Sequence, residues 1–283
     1  MMNRYEILEE IARYQPDVLN EAEKVKLQLT KYLYPKRKTN MNLLDLKQML
    51  MDEGASLAGF ADIGNLYDDT ACCGFLRYPK GVSIAIAIPR DVILSIKEKP
   101  TRTYFDAYHS INDKLNQLAT KCETLLQKEG FAAYAQTTGR VHETESYHTP
   151  MPHKTVAVNA GLGWIGKCAL LITEQYGSAI RLTSVLTDAP LPADDPVVQS
   201  KCGACNACSE TCPAHAVTGI LWEPGMERER LFHASECRAK ARAIAMDVLH
   251  EKITLCGKCI EICPYTRKYL SVSNEKDMSQ SKN

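Results

Sequence analysis

Cys202-Gly-Ala-Cys205-Asn-Ala-Cys208-Ser-Glu-Thr-Cys212-Pro213 decides how this chain is read. Its spacing, C-x2-C-x2-C-x3-C-P, is one that holds iron–sulfur cubanes. Three close thiols can wrap one corner of a 4Fe-4S cube, and the fourth, turned away by a helical step and a proline, reaches a neighbouring cluster. A second set of ligands is therefore required downstream. Cys256-Gly-Lys-Cys259-Ile-Glu-Ile-Cys263-Pro264 supplies three, and Cys237 stands alone between the two runs.

Ligand counting gives the stoichiometry. Two 4Fe-4S clusters take eight thiolates, and the two runs plus Cys237 hold eight. Crossed connectivity assigns Cys202, Cys205, Cys208 and Cys263 to one cluster and Cys212, Cys237, Cys256 and Cys259 to the other. Paired C-x2-C can also hold zinc, but zinc leaves the third and fourth cysteines of the first run and both prolines unexplained. Disulfides fit less well still.

The 283 residues suffice for two domains, and upstream of the cysteines there is ample chain for an apolar core. With 34 basic and 34 acidic residues the formal charge is zero, so no global field draws the chain to nucleic acid or to a membrane. The first ten residues have neither the apolar centre of a signal peptide nor a twin-arginine motif, and no apolar run is long enough to span a bilayer. Twelve cysteines suit a reducing compartment. The expectation is a cytoplasmic protein without a membrane partner.

Along the chain, apolar residues at helical spacing from Tyr5 to Tyr34, interrupted at Pro16, predict an N-terminal helical appendage over residues 1–40, ending near the basic linker Pro35–Lys38. Leu43 to Met51 reads as a helix, and Gly54 to Ala61 and Gly81 to Pro89 read as strands. Cys72 and Cys73 read as buried or loop thiols without metal spacing. Thr103 to Lys128 predicts a long amphipathic helix with Tyr108, Ile111, Leu115, Leu118, Cys122 and Leu125 on its buried stripe. Gly130 to Ala135, Leu170 to Thr173 and Ile180 to Thr187 follow as strands. The alternation predicts an α/β or α+β domain over residues 41–195, then a cluster domain over 196–270 and a polar, disordered tail over 271–283.

Between the long helix and the last strand lies a polar loop, Val141-His-Glu-Thr-Glu-Ser-Tyr147-His148-Thr-Pro-Met-Pro-His153-Lys154. Ala160-Gly161-Leu-Gly163-Trp164-Ile-Gly166-Lys167 comes next. Its G-x-G-x-x-G is a weak dinucleotide signal, because no first strand precedes it as a Rossmann site requires. A tight turn that lets backbone approach some other bulky ligand is the preferred reading.

This glycine motif, the Arg181 to Pro192 strand and the two cysteine runs around Cys237, in that order and spacing, resemble the epoxyqueuosine reductases, which are related to the reductive dehalogenases. The resemblance runs from about Leu43 to Tyr269 and includes Tyr108-His109. It implies a nitroreductase-like cobalamin-binding domain followed by a ferredoxin-like domain, whose near cluster passes electrons to cobalt. Gly161, Gly163, Trp164, Gly166, Lys167 and Arg181 would then meet the cofactor, Lys167 or Arg181 at its amide or phosphate groups.

In that family an aspartate facing the cobalt gives a proton to the substrate. Counting back thirteen residues from Ala160 reaches Tyr147 instead, with Pro150 in register. Reductive dehalogenases use tyrosine in the analogous role, so Tyr147 is the candidate acid, although tyrosine holds its proton about six pKa units more tightly than a carboxylic acid. Lys154 or His148 are candidate cations to ease that transfer. An ordinary packed tyrosine is the alternative, with Glu143 and Glu145 as rival acids. His142, His148 and His153 are either ligands or solvated loop residues.

The expected activity is reduction of a small-molecule or nucleoside-like substrate, with reduced ferredoxin or flavodoxin as electron donor. A tRNA substrate is poorly supported by a neutral chain with 7% aromatic residues. Two other readings stay open: a dicluster electron-transfer protein with no substrate of its own, and a reductase holding FMN in place of cobalamin.

Overall fold

The structure is a computed structural model that describes residues 45–66 and 78–271. The expected N-terminal helices, the Pro35–Lys38 linker, Cys72, Cys73 and the tail beyond Ser271 lie outside those residues.

The centre of the upstream half is a four-stranded sheet of order β1-β2-β6-β3, built from β1 (Leu57–Asp62), β2 (Lys80–Ala87), β3 (Ala133–Ala135) and β6 (Ile180–Thr187). Every pairing in it is antiparallel, with Phe60 opposite Val82 and Val82 opposite Val185. Of the two fold classes the sequence allows, this is α+β. Alternation along β2 explains the layers. Val82 and Ile84 point with Phe60 and Val185 into the main core, whereas Gly81, Ser83 and Ala85 face the other side. Small residues are needed there because α4 (His153–Asn159) lies close: a Cβ on Gly81 would stand 2.7 Å from Val156 Cγ1, and one on Gly59 2.4 Å from the Ala160 carbonyl.

The main core is closed by α1 (Asp45–Asp52), α2 (Arg90–Ser95) and α3 (Arg102–Lys128). The N-cap of α3 is Thr101, whose hydroxyl accepts from the Tyr104 amide at 3.2 Å, and Lys128 stands at the negative end of the helix dipole. Ile111, Leu115, Leu118 and Cys122 form its buried stripe as expected, but the stripe ends on Leu126, with Leu125 only half-buried. The 3.6-residue period has drifted by one position after four turns. The expected strand from Gly130 shortens to Ala133–Ala135, because Gly130, at φ 85°, is still turning the chain out of α3.

Residues His153 and Lys154, expected in the polar loop, instead open α4, led in by Pro152. The glycine motif then follows a helix and precedes a short hairpin of β4 (Trp164–Ile165) and β5 (Leu171–Ile172), so the Rossmann arrangement is absent.

The downstream half consists of α5 (Ala207–Glu210), α6 (Arg228–Leu231), α7 (Ala234–Leu249), α8 (Lys258–Glu261) and α9 (Pro264–Ser271). It is bound to the sheet half by shared core. Ala245, Leu249 and Leu255 join the cluster of α3 side chains, and the Tyr269 hydroxyl donates to the Ile88 carbonyl at 3.1 Å. At Gly177, φ 58°, the backbones touch so closely that a Cβ would lie 2.2 Å from the Thr266 nitrogen, and the Ser178 amide donates to Thr266 Oγ1 at 3.1 Å. Among the described residues no helix is long and apolar enough to cross a membrane.

Candidate redox site

The short helices α5 and α8 carry the middle cysteines of each run, and Gly257, at φ 83°, turns the chain into α8. Folding brings the runs together. The Cys263 thiol lies near Cys202, and Cys237, on α7, lies near both Cys212 and Cys256. Burial, and beyond it the charges of Cys212 and Cys256, push the Cys237 thiol up to about 11. Burial likewise raises Cys256 and Cys263, with Cys212 and Cys202 adding to it. Thiols crowded and desolvated in this way are relieved by a cation that displaces their protons.

Two further features fit a cluster. Trp164 is 1% exposed, packs in one apolar group with Cys202, Cys208, Cys212, Cys259 and Cys263, and its indole Nε1 has no hydrogen-bond partner. The buried Ser200 hydroxyl, two residues before Cys202, is also unpartnered. Buried donors are rarely left so, and cluster sulfurs are acceptors. Among the described residues, no three His, Cys, Asp or Glu side chains form a single-ion site.

A cavity of about 770 Å³ lies where the two halves meet. Its polar lining includes the cations Lys154, Arg181 and Arg228, with His148, His153, Tyr147 and Glu143 beside them. Ile165, Leu171, Ile180 and Leu182 give it an apolar bed from β4, β5 and β6. His153 and Lys154 open onto the cavity but sit deep in the protein. Burial, and beyond it the Arg181 charge, hold the His153 imidazole down at about 4, and its Nδ1 lies 2.8 Å from Ser184 Oγ. Burial, then the Arg228 charge, lower Lys154 to about 8 while its ammonium donates to the Ala169 carbonyl at 2.9 Å.

Tyr147 lines this cavity in a left-handed conformation, φ 61°. Arginines of the downstream half lie beside it as well. Arg228 Nη1 donates to the Tyr147 carbonyl at 2.6 Å and Nη2 to the Ser146 carbonyl at 2.7 Å, while the Arg238 guanidinium lies 4.6 Å from the Tyr147 ring centroid. Of the rival acids, Glu143 lines the cavity and is paired with Arg238 at 3.1 Å, and Glu145 is exposed. His148 pairs with Glu229 at 3.3 Å, and His142 is exposed.

The glycine motif does something other than expected. A Cβ on Gly163 would fall 2.0 Å from the Ile172 carbonyl oxygen, one on Gly166 2.7 Å from the Ile172 side chain, and one on Gly161, at φ 70°, 2.9 Å from the Asp195 carbonyl. Their missing side chains admit the backbone at Gly161 and Gly163 and the Ile172 side chain at Gly166. Trp164 packs toward the thiols, and the buried Lys167 ammonium donates to Asn206 Oδ1 at 2.9 Å, in the loop between Cys205 and Cys208. Only Arg181 of this group reaches the cavity, steadied by Asn112 Oδ1 at 3.0 Å and by the Tyr108 ring, 3.9 Å away. Sequence reasoning missed Arg228, Arg238 and Cys168. The arginines carry no motif, and Cys168 has no spacing to the runs.

Two cysteine runs with Cys237 between them, joined to an antiparallel α+β domain, carry the pattern of a double-cluster iron–sulfur protein, and residues 201–266 match the 4Fe-4S double cluster binding domain family. The chain is similar to epoxyqueuosine reductases. It is 38% identical over 141 residues to the one from Synechococcus sp. (strain CC9605), a match covering 46% of this chain and 40% of that protein. The chain thus spans less than half the length of that relative. In fold it is similar to the epoxyqueuosine reductase of Streptococcus thermophilus, at TM-score 0.51 and 22% identity over 80% of this chain and 67% of that one. It is also similar to the catabolic reductive dehalogenase NpRdhA in complex with 3-bromo-4-hydroxybenzoic acid, at TM-score 0.55 and 17% identity over 85% and 36% of the two chains.

Proposed function

We propose that the protein is an iron–sulfur reductase in which residues 196–270 hold two 4Fe-4S clusters and residues 41–195 present a cobalamin to an organic substrate. The ligands are Cys202, Cys205, Cys208 and Cys263 for one cluster and Cys212, Cys237, Cys256 and Cys259 for the other. The reading rests on one adjacency. Cys168 belongs to the buried group against which Cys208 and Cys259 pack, while Ala169, Leu170 and Leu171, the next residues in the chain, line the cavity. Clusters and cavity are separated by a single short turn of chain.

A corrin ring suits the lining, which joins an apolar bed to cationic groups. Ile180, Leu182 and Leu171 would face the ring, and Arg181, Lys154 and Arg228 its amide and phosphate groups. When bound, cobalamin supplies strongly reducing cobalt, the protein tuning and shielding it. Tyr147 holds a proton at Oη beside the substrate, and Arg228 and Arg238 fix the loop that carries it. His153, held neutral by burial and the Arg181 charge, adds no further cation to the pocket.

The substrate class is nucleoside-like or a comparably small polar molecule, drawn from the name of the Synechococcus relative. The donor would be reduced ferredoxin or flavodoxin. Anaerobic reconstitution of the full chain followed by incubation with hydroxocobalamin or FMN tests the proposal. It predicts about eight irons and close to one corrinoid per chain. Iron uptake with FMN bound in place of corrinoid would make this a flavin reductase. Iron uptake with neither would leave a dicluster electron carrier.

A further inference from the structure

His153 lines the cavity and is tied to a buried polar row behind it. Its Nδ1 lies 2.8 Å from Ser184 Oγ, and the same hydroxyl accepts from Gln136 Nε2 at 2.6 Å. Ser184 and Gln136 are both buried. Across the β2–β6 pairing Ser184 stands opposite Ser83, whose buried hydroxyl has no partner and so takes nothing from Ser184.

Hydrogen-bond accounting then fixes the state of the ring. A serine hydroxyl has one proton to give. With Gln136 donating to Ser184, the Ser184 proton goes to His153 Nδ1, which is therefore the bare nitrogen. The imidazole proton is on Nε2, at the far end of the ring, and Nε2 bonds to none of the described residues. Ser184 is not part of the cavity wall, so the ring reaches from the strand to the cavity.

We infer that His153 presents its Nε2–H to the cavity as a donor to a neutral oxygen, an amide carbonyl at the edge of a bound corrinoid, and that Ser184 and Gln136 set the tautomer that makes this possible. The inference rests on the cobalamin reading above and names a contact that reading leaves open. Side chains alternate along β6, so Ile180, Leu182 and Ser184 stand in one row. Ile180 and Leu182 belong to the apolar bed, and His153 covers the next position in the row. It thus borders the bed where the rim of a flat ring would come to rest, and a corrin ring carries its amides on its rim. Lys154 and Arg181 offer charge, which suits phosphate. A carbonyl is satisfied by an uncharged donor, and no further buried charge is then needed.

The test titrates hydroxocobalamin, followed by absorbance, into the anaerobically reconstituted full chain of wild type, His153→Asn and His153→Gln, and records the His153 ring-nitrogen resonances of wild type by NMR. Asparagine places its amide near the Nδ1 position, which keeps a partner for Ser184 but leaves no donor at the far end. Glutamine places its amide nitrogen near the Nε2 position. Kd should rise about 3- to 10-fold in His153→Asn, the range for one neutral hydrogen bond, and His153→Gln should recover most of that loss. The spectrum should show a bare Nδ1 and a protonated Nε2. A bare Nε2, a His153→Asn variant that binds as tightly as wild type, or a His153→Gln variant no better than His153→Asn would each overturn the inference. If wild type shows the Nε2–H tautomer yet binds no hydroxocobalamin, the cobalamin reading fails and the inference falls with it. Should His153→Asn not fold, His153→Phe keeps a ring without either nitrogen and carries the same comparison, and the wild-type spectrum needs no variant.

Discussion

Arg228, on α6 of the downstream half, grips the carbonyl of Tyr147, on the long loop of the sheet half, at 2.6 Å. A second bond from the same guanidinium reaches Ser146 at 2.7 Å. A non-glycine residue at φ 61° costs about 1–3 kcal/mol and persists only where its surroundings hold it. The loop carrying the candidate acid is therefore held by the domain that carries the clusters.

Arg228→Ala should release that loop. Each bond from a charged donor contributes about 1.5–3 kcal/mol, less here because the Arg228 side chain keeps 19% of its exposure, so a loss near 2 kcal/mol is expected. For a chain of this size that is a fall in Tm of several degrees. Hydrogen exchange over residues 141–152 should quicken more than elsewhere, and Arg228→Lys, with no planar fork, should rescue little.

Tyr147→Phe separates proton delivery from electron delivery. Turnover with the reducible substrate should fall by about 10²-fold or more, the usual contribution of a positioned acid. Iron content and cluster potentials should be unchanged. Undiminished turnover would return Tyr147 to the status of a packed aromatic.

Acid stability should depend on His153. Its folded value, about 4, lies below the ordinary 6.5, so the unfolded chain binds the proton first. Stability is then whole above about pH 6.5 and is lost as pH falls toward 4, by on the order of 3 kcal/mol. Lys154, held at about 8, acts in the alkaline range: the cost of burying its charge is relieved as pH rises from 8 toward 10.5. Thermal melts of His153→Gln at pH 7 and pH 5 should differ less than those of wild type.

Glycines of the turn can be ranked by what a methyl group would strike. Gly163→Ala drives a Cβ to within 2.0 Å of the Ile172 carbonyl and should cost more than about 2 kcal/mol or abolish soluble expression. Gly139→Ala meets nothing within 4 Å and should change Tm by no more than a degree or two.

Much of this was legible in the chain because it is local. Metal spacing, the alternation in β2 and the helical stripe of α3 are short-range patterns, and each located its element to within a few residues. What stayed hidden is long-range. Gly161, Gly163 and Gly166 announce a close approach, but only the fold says that Ile172 and Asp195 are what approach. Lys167 reads as a cofactor cation and proves to bind the Asn206 amide, because β4 turns its far end toward the cysteine loop. Arg228 and Arg238 lie more than 70 residues beyond the loop they hold, with no pattern linking them.

The account stands on clusters held by residues from both runs, and one measurement addresses this directly: EPR of the anaerobically reconstituted, dithionite-reduced full chain, alongside its iron content. About eight irons and the signal of two interacting 4Fe-4S centres are predicted, with Cys263→Ser perturbing the cluster served by Cys202, Cys205 and Cys208. A chain that takes up zinc at one or two equivalents, or whose Cys263→Ser signal changes only in the cluster of Cys256 and Cys259, would contradict it.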